Sequence, residues 1–78
     1  MTQQFNQFMT EVSAAWQESK GSLRYGQVLF NTLCEVRPGL AEQLRGSNID
    51  PFYKDLPTDV DPKVIRLILE DMEEESHG

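Results

Sequence analysis

The chain has 78 residues, a formal charge of −6, and a composition that is 38% apolar and 26% charged. That length supports one small hydrophobic core, and that composition is globular rather than disordered. No apolar run approaches the roughly 18 residues of a membrane span, and the start, MTQQFNQFM, has neither the basic nor the apolar region of a signal peptide.

Cys34 is the single cysteine, which excludes an intramolecular disulfide and any CxxC pair. Together these absences point to the cytoplasm. The charge is uneven. Residues 1–49 carry four basic and four acidic groups, whereas residues 50–78 carry three basic and nine acidic ones. A surface of that sign repels phosphate within a Debye length, so direct nucleic-acid binding is not expected.

In chain order, the first segment is amphipathic. Phe5, Phe8, Met9, Val12, Ala15 and Trp16 fall at helical spacing and draw one apolar stripe. Thr2 is positioned to cap it, Lys20 suits the negative end of its dipole, and Gly21 ends it. Ser22 is the expected N-cap of a second helix. There Tyr25, Val28, Leu29, Leu33 and Val36 share a face, with Leu23 and Phe30 beside it. Gly26 inside that helix costs about 1 kcal/mol relative to alanine, and close approach by another backbone or ring is the usual reason for one. Pro38 stops the second helix and opens a short third one, PGLAEQLR, ended by Gly46.

The loop GSNIDPFYKDLPTD follows. Asp50-Pro51 predicts one helical turn through Phe52 and Tyr53, with Phe52 plugging an open end of the core. Asp61 caps the last helix and Pro62 starts it. Val64, Ile65, Ile68, Leu69 and Met72 form its apolar face, and Leu67 lies off that face. Glu70, Asp71 and Glu73–Glu75 put negative charge at the negative end of its dipole, so residues 76–78 are expected to fray. The expected fold is all-α: one domain over residues 1–75, a bundle of about four helices with a short capped turn before the last.

Catalytic chemistry finds no support. His77 is the only histidine and lies in the expected frayed tail, so neither a serine nor Cys34 has an ordered base. Cys34 reads as a small buried hydrophobe. Counted from Asp59, Glu70 imitates the length of a calcium loop, but the position that needs glycine is Val64. No glycine-rich phosphate loop exists, and the candidate recognition helices for a helix-turn-helix are acidic or neutral. No enzyme, metal or cofactor is therefore expected.

Two features are candidates for partner binding. Arg24, Gln27 and Asn31 fall at i, i+3 and i+7 beside the apolar face of the second helix, where a guanidinium and two amides could clamp carbonyls or a carboxylate. The competing reading, which we favour, has them bonded to the NIDPFYKD loop, with Arg24 pairing Asp50 or Asp55. The second feature is the stripe of the first helix. Seven aromatics are many for so small a domain, and Phe5, Phe8 and Trp16 are the ones most open to a partner or to a second copy across a two-fold axis. A homodimer through that helix is the slightly favoured state.

The stretch SLRYGQVLFNTLCEVRPGLAEQLRGSNIDPFY resembles the central block of short uncharacterised proteins of phages and bacteria. Their pattern, R-x-G-Q-x-x-x-N-x-L, a proline, then R-G and D-P-F, matches Arg24, Gly26, Gln27, Asn31, Leu33, Pro38, Arg45, Gly46, Asp50, Pro51 and Phe52. The resemblance brings no biochemical activity. It implies a small accessory or host-modulating protein, with phage origin among its implications. The expected function is thus protein–protein docking. The alternative is that the acidic end mimics nucleic-acid phosphate and occupies a basic groove on a nuclease or similar factor.

Overall fold

The computed structural model describes the backbone of residues 3–77 and the side chains of residues 3–73. Four α-helices, α1 (Gln3–Ser19), α2 (Tyr25–Val36), α3 (Pro38–Leu44) and α4 (Pro62–His77), make up the fold, and no strand occurs among the described residues. The all-α bundle is therefore as the periodicity predicts. α1 packs on both α2 and α4, and α3 packs on α2.

The core joins one stripe from each helix. α1 contributes Phe8 and Val12, and α2 contributes Val28, Leu29, Phe30 and Leu33. α3 adds Ala41 and Leu44, and α4 adds Val64, Ile68 and Met72, with Val60 from the preceding loop. Burying such side chains, at about 25 cal/mol per Å² of apolar surface, is the main favourable term. Ala15, Val36 and Leu69, all assigned to apolar faces, fall outside it. Ala15 is exposed, and Val36 is 39% exposed because α2 ends there.

The helix boundaries follow local chemistry. Arg37, the residue before Pro38, takes φ −143°, which breaks α2 from α3, and Pro38 fills the first turn of α3. Gly46 leaves α3 at φ +74°, the left-handed conformation glycine adopts without steric cost. The Asp61 carboxylate accepts the Lys63 N–H at 2.9 Å and caps α4. At α1 the left-handed turn begins one residue early, at Lys20 (φ 52°), followed by Gly21 (φ 89°). Lys20 thus lies past the helix rather than in its last turn.

The loop before α4 differs from expectation. Phe52 and Tyr53 form a hydrogen-bonded turn, not a helical one, and a 3₁₀ turn lies later, at Pro57–Asp59. The Asp50 carboxylate accounts for this. It accepts the Gly46 N–H at 2.7 Å and the Phe52 N–H at 3.0 Å, bracing the loop around itself rather than starting a helix.

Arg37 ties three helices. Its Nε donates to Asp71 Oδ2 on α4 at 3.1 Å, one Nη to the Gln4 side chain on α1 at 3.0 Å, and the other to the Val36 carbonyl at 2.8 Å. The unfavourable charge expected of Asp71 is offset by this pair. α4 runs as helical backbone to His77, past the boundary expected at residue 75. The expected fraying of 76–78 falls, for Gly78 and for the side chains beyond Glu73, outside the described residues.

Candidate docking groove at the start of α2

A helix leaves its first N–H groups without intrahelical acceptors. At α2 the expected capping residue does not supply them. The Ser22 hydroxyl donates back to the Ser19 carbonyl at 2.7 Å, and the chain enters α2 through an extended Arg24 that makes no side-chain cap. The acceptors come instead from the loop before α4. Tyr25 N–H donates to the Asp55 carbonyl at 3.0 Å and Gly26 N–H to the Lys54 carbonyl at 2.9 Å.

This tertiary cap explains Gly26. A Cβ there would sit inside the Pro51 carbonyl oxygen, and 3.0 Å from the Lys54 carbonyl oxygen. The close approach expected from sequence is thus by backbone. Pro51 is fully buried beneath it. Beyond Pro51, Phe52 is half-buried and meets Phe30 edge to face, with ring centroids 5.8 Å apart. Phe52 therefore packs on the margin of the core rather than plugging it. Arg45 covers the same Phe30 ring with its guanidinium 5.3 Å from the centroid.

Beside the cap lies an open groove of about 430 Å³, lined chiefly by Trp16, Leu23, Arg24, Gln27, Asp55 and Leu56. Trp16, one of its lining residues, stands edge-on to Tyr25 with ring centroids 5.1 Å apart. Burial there pushes the Tyr25 phenol above its ordinary value of 10.0. Leu23 and Leu56 are 37% and 51% exposed. Arg24 pairs with Asp55 at 3.2 Å across one end, and both side chains are about half exposed or more.

Of the six residues expected to serve a partner, the groove gathers three: Trp16, Arg24 and Gln27. Phe8 is 3% exposed and belongs to the core, not to a docking face, and Phe5 packs against that core. The α1 stripe faces inward because α2 and α4 both need it. Asn31 is exposed one turn beyond Gln27 on α2, outside the groove. Arg24 meets the loop as expected, through Asp55. Gln27 and Asn31 do not: among the described residues neither side chain makes a hydrogen bond.

Leu23 and Leu56 were not singled out by sequence reasoning. A leucine beside the apolar face of the expected second helix, and another isolated between Asp55 and Pro57, were the available signals. Two aspartates in the loop spend their carboxylates on the backbone, Asp50 as described and Asp59 on the Leu56 N–H at 3.2 Å.

Most residues of the R-x-G-Q, R-G and D-P-F pattern have an architectural role. Arg24, Gly26, Asp50, Pro51 and Phe52 hold the loop to α2. Leu33 is core, Pro38 and Gly46 bound α3, and Arg45 covers Phe30. Gln27 and Asn31 are the two members without such a role. A scan against protein-family models finds no match, and searches of the curated proteins and of the solved structures find none either. What the fold and site define is a small all-α protein with a half-apolar groove. None of its helices, among the described residues, is long and apolar enough to cross a membrane.

Proposed function

We propose that the chain is a protein–protein docking module that acts by occupying a partner rather than by catalysis, working in the cytoplasm as an accessory or modulator. The observation that carries this reading is the groove. Trp16, Leu23 and Leu56 offer an apolar seat, and the Gln27 amide beside it makes no hydrogen bond among the described residues. An apolar anchor with a few unspent polar groups at its edge is the usual anatomy of an interface centre. Asn31 extends the polar edge by one turn. The resemblance to phage and bacterial proteins supports a host-modulating role and a phage origin.

A photo-crosslinking residue placed at position 56 tests the reading, with the same residue at position 67 as control. Leu67 is likewise exposed, at 39%, but lies on α4 away from the groove. In the native cell we expect a discrete protein adduct from position 56 and none from position 67. Equal adducts from both positions, or none from position 56, would contradict the groove.

The competing reading, phosphate mimicry, rests on the nine acidic residues of positions 50–78. Among the described residues Asp55 and Asp71 pair with arginines, which thins the field. Affinity that falls steeply with salt would favour the mimic, and affinity insensitive to salt would favour the groove.

A further inference from the structure

Residues 52–59 form an excursion with a distinctive pattern of ties. Pro51 and Val60 on either side are buried, and no residue between them is. Within the excursion the backbone is bonded to itself: Lys54 N–H to the Pro51 carbonyl at 3.0 Å, Asp59 N–H to the Leu56 carbonyl at 2.9 Å, Val60 N–H to the Pro57 carbonyl at 3.3 Å. It is an organised unit between two fixed points. Among the described residues its polar ties to the rest of the fold are few: the Phe52 N–H donates to the Asp50 carboxylate beside the hinge at 3.0 Å, and the others go to the start of α2. Those others are the two backbone bonds that cap Tyr25 and Gly26, and the exposed Arg24–Asp55 pair. The Phe52–Phe30 ring contact is the main apolar tie.

We propose that residues 52–59 are a strap that opens as a local unit, hinged at Pro51 and Val60, while the four helices stay folded. Elements with few buried apolar contacts and exposed hydrogen bonds open at lower free energy than the core. Because Asp55 and Leu56 form one wall of the groove, opening widens the groove and bares the first two amides of α2. The opening is independent of the docking reading: it follows from the ties alone.

The structure supplies its own reporters. First-turn amides have no acceptor within their helix, so protection at Tyr25 and Gly26 comes from the strap. Val28 is the control, since its N–H donates to the Arg24 carbonyl at 3.1 Å inside α2's own first turn. Residue-resolved hydrogen exchange on the whole chain decides the matter. Expected is protection at Tyr25 and Gly26 at least about ten-fold above a free amide, yet at least about ten-fold below Val28 and Leu29. Arg24→Ala should speed exchange at the first two by about two-fold, the scale of an exposed ion pair, and leave Val28 and Leu29 unmoved. Rates at Tyr25 and Gly26 equal to those at Val28 and Leu29 would overturn the proposal, because opening would then require the helix itself. Free-amide rates at Tyr25 and Gly26 would also overturn it, because the strap would not be latched.

Discussion

At the scale of single residues, Gly26 and Arg24 separate backbone from charge as the anchor of the loop. Helix propensity alone would make Gly26→Ala stabilising by about 1 kcal/mol. The space is already taken by the Pro51 and Lys54 carbonyls, which are backbone and cannot rotate away. Overpacking of that kind costs about 1–3 kcal/mol, and the displaced loop would also uncap α2. Gly26→Ala should therefore lower stability by about 2 kcal/mol in denaturant titrations. A neutral or stabilised variant would show that the loop yields. Arg24 meets the same loop, but as the weaker tie. Its pair with Asp55 is largely exposed, so Arg24→Ala should cost no more than about 0.5 kcal/mol. The presence of a close approach at Gly26 was legible in the sequence, because a glycine inside a strong amphipathic helix demands one. Its partner was not, since a carbonyl belongs to every residue and leaves no mark in side-chain identity. Tyr25 adds a pH dependence. Burial raises its pKa, so the native state keeps the phenolic proton at pH values where the unfolded chain has released it. Stability should be unaffected well below the ordinary value of 10.0 and fall as pH rises past it. Thermal melts of Tyr25→Phe should show a shallower alkaline decline than those of the parent chain, and identical declines would refute the burial argument.

At the scale of elements, helix faces were legible and the joints between helices only in part. The spacing of Val64, Ile68 and Met72, with Asp61 and Pro62 before them, placed α4 from composition and caps alone, as did Pro38 for the break between α2 and α3. Ser22 misled because a serine can cap forward or bond backward, and the turn at Lys20 and Gly21 aims it at Ser19. The Asp50-Pro51 signal misled for a related reason: the carboxylate had a second donor, the Gly46 N–H, whose proximity only the fold creates. Arg37 was invisible as a joint because its partners Gln4 and Asp71 are far away in sequence. Its side chain is 24% exposed in the ion pair with Asp71, so the contact is partly screened. Arg37→Ala should still destabilise the protein by about 1–2 kcal/mol, within the range for hydrogen bonds to charged groups. Equilibrium unfolding measures this, and a change under about 0.3 kcal/mol would mean that α1 and α4 hold together by apolar packing alone.

At the scale of the whole molecule, a small core has claimed most of the aromatic side chains. Phe8, Tyr25 and Phe30 are buried, while Phe5, Trp16 and Phe52 are partly so. A homodimer built on Phe8 would have to take that ring out of the core, so self-association through α1 would have to use the partly exposed Phe5 and Trp16. The surface carries a groove whose apolar lining residues, Leu23 and Leu56, come from segments joined only by folding, which is why no sequence window displays it. The sharpest test sets that groove against the acidic end of α4. Leu56→Glu and the triple variant Glu70→Gln, Glu74→Gln, Glu75→Gln would be compared with the parent chain in affinity for the partner captured from the native cell, after confirming unchanged melting. Burying a leucine at an interface contributes roughly 1.5–3 kcal/mol, so the account predicts that Leu56→Glu weakens binding by about ten- to a hundred-fold while the triple variant binds within about three-fold of the parent. Full binding by Leu56→Glu, with binding lost in the triple variant, would contradict it and leave the chain an acidic mimic.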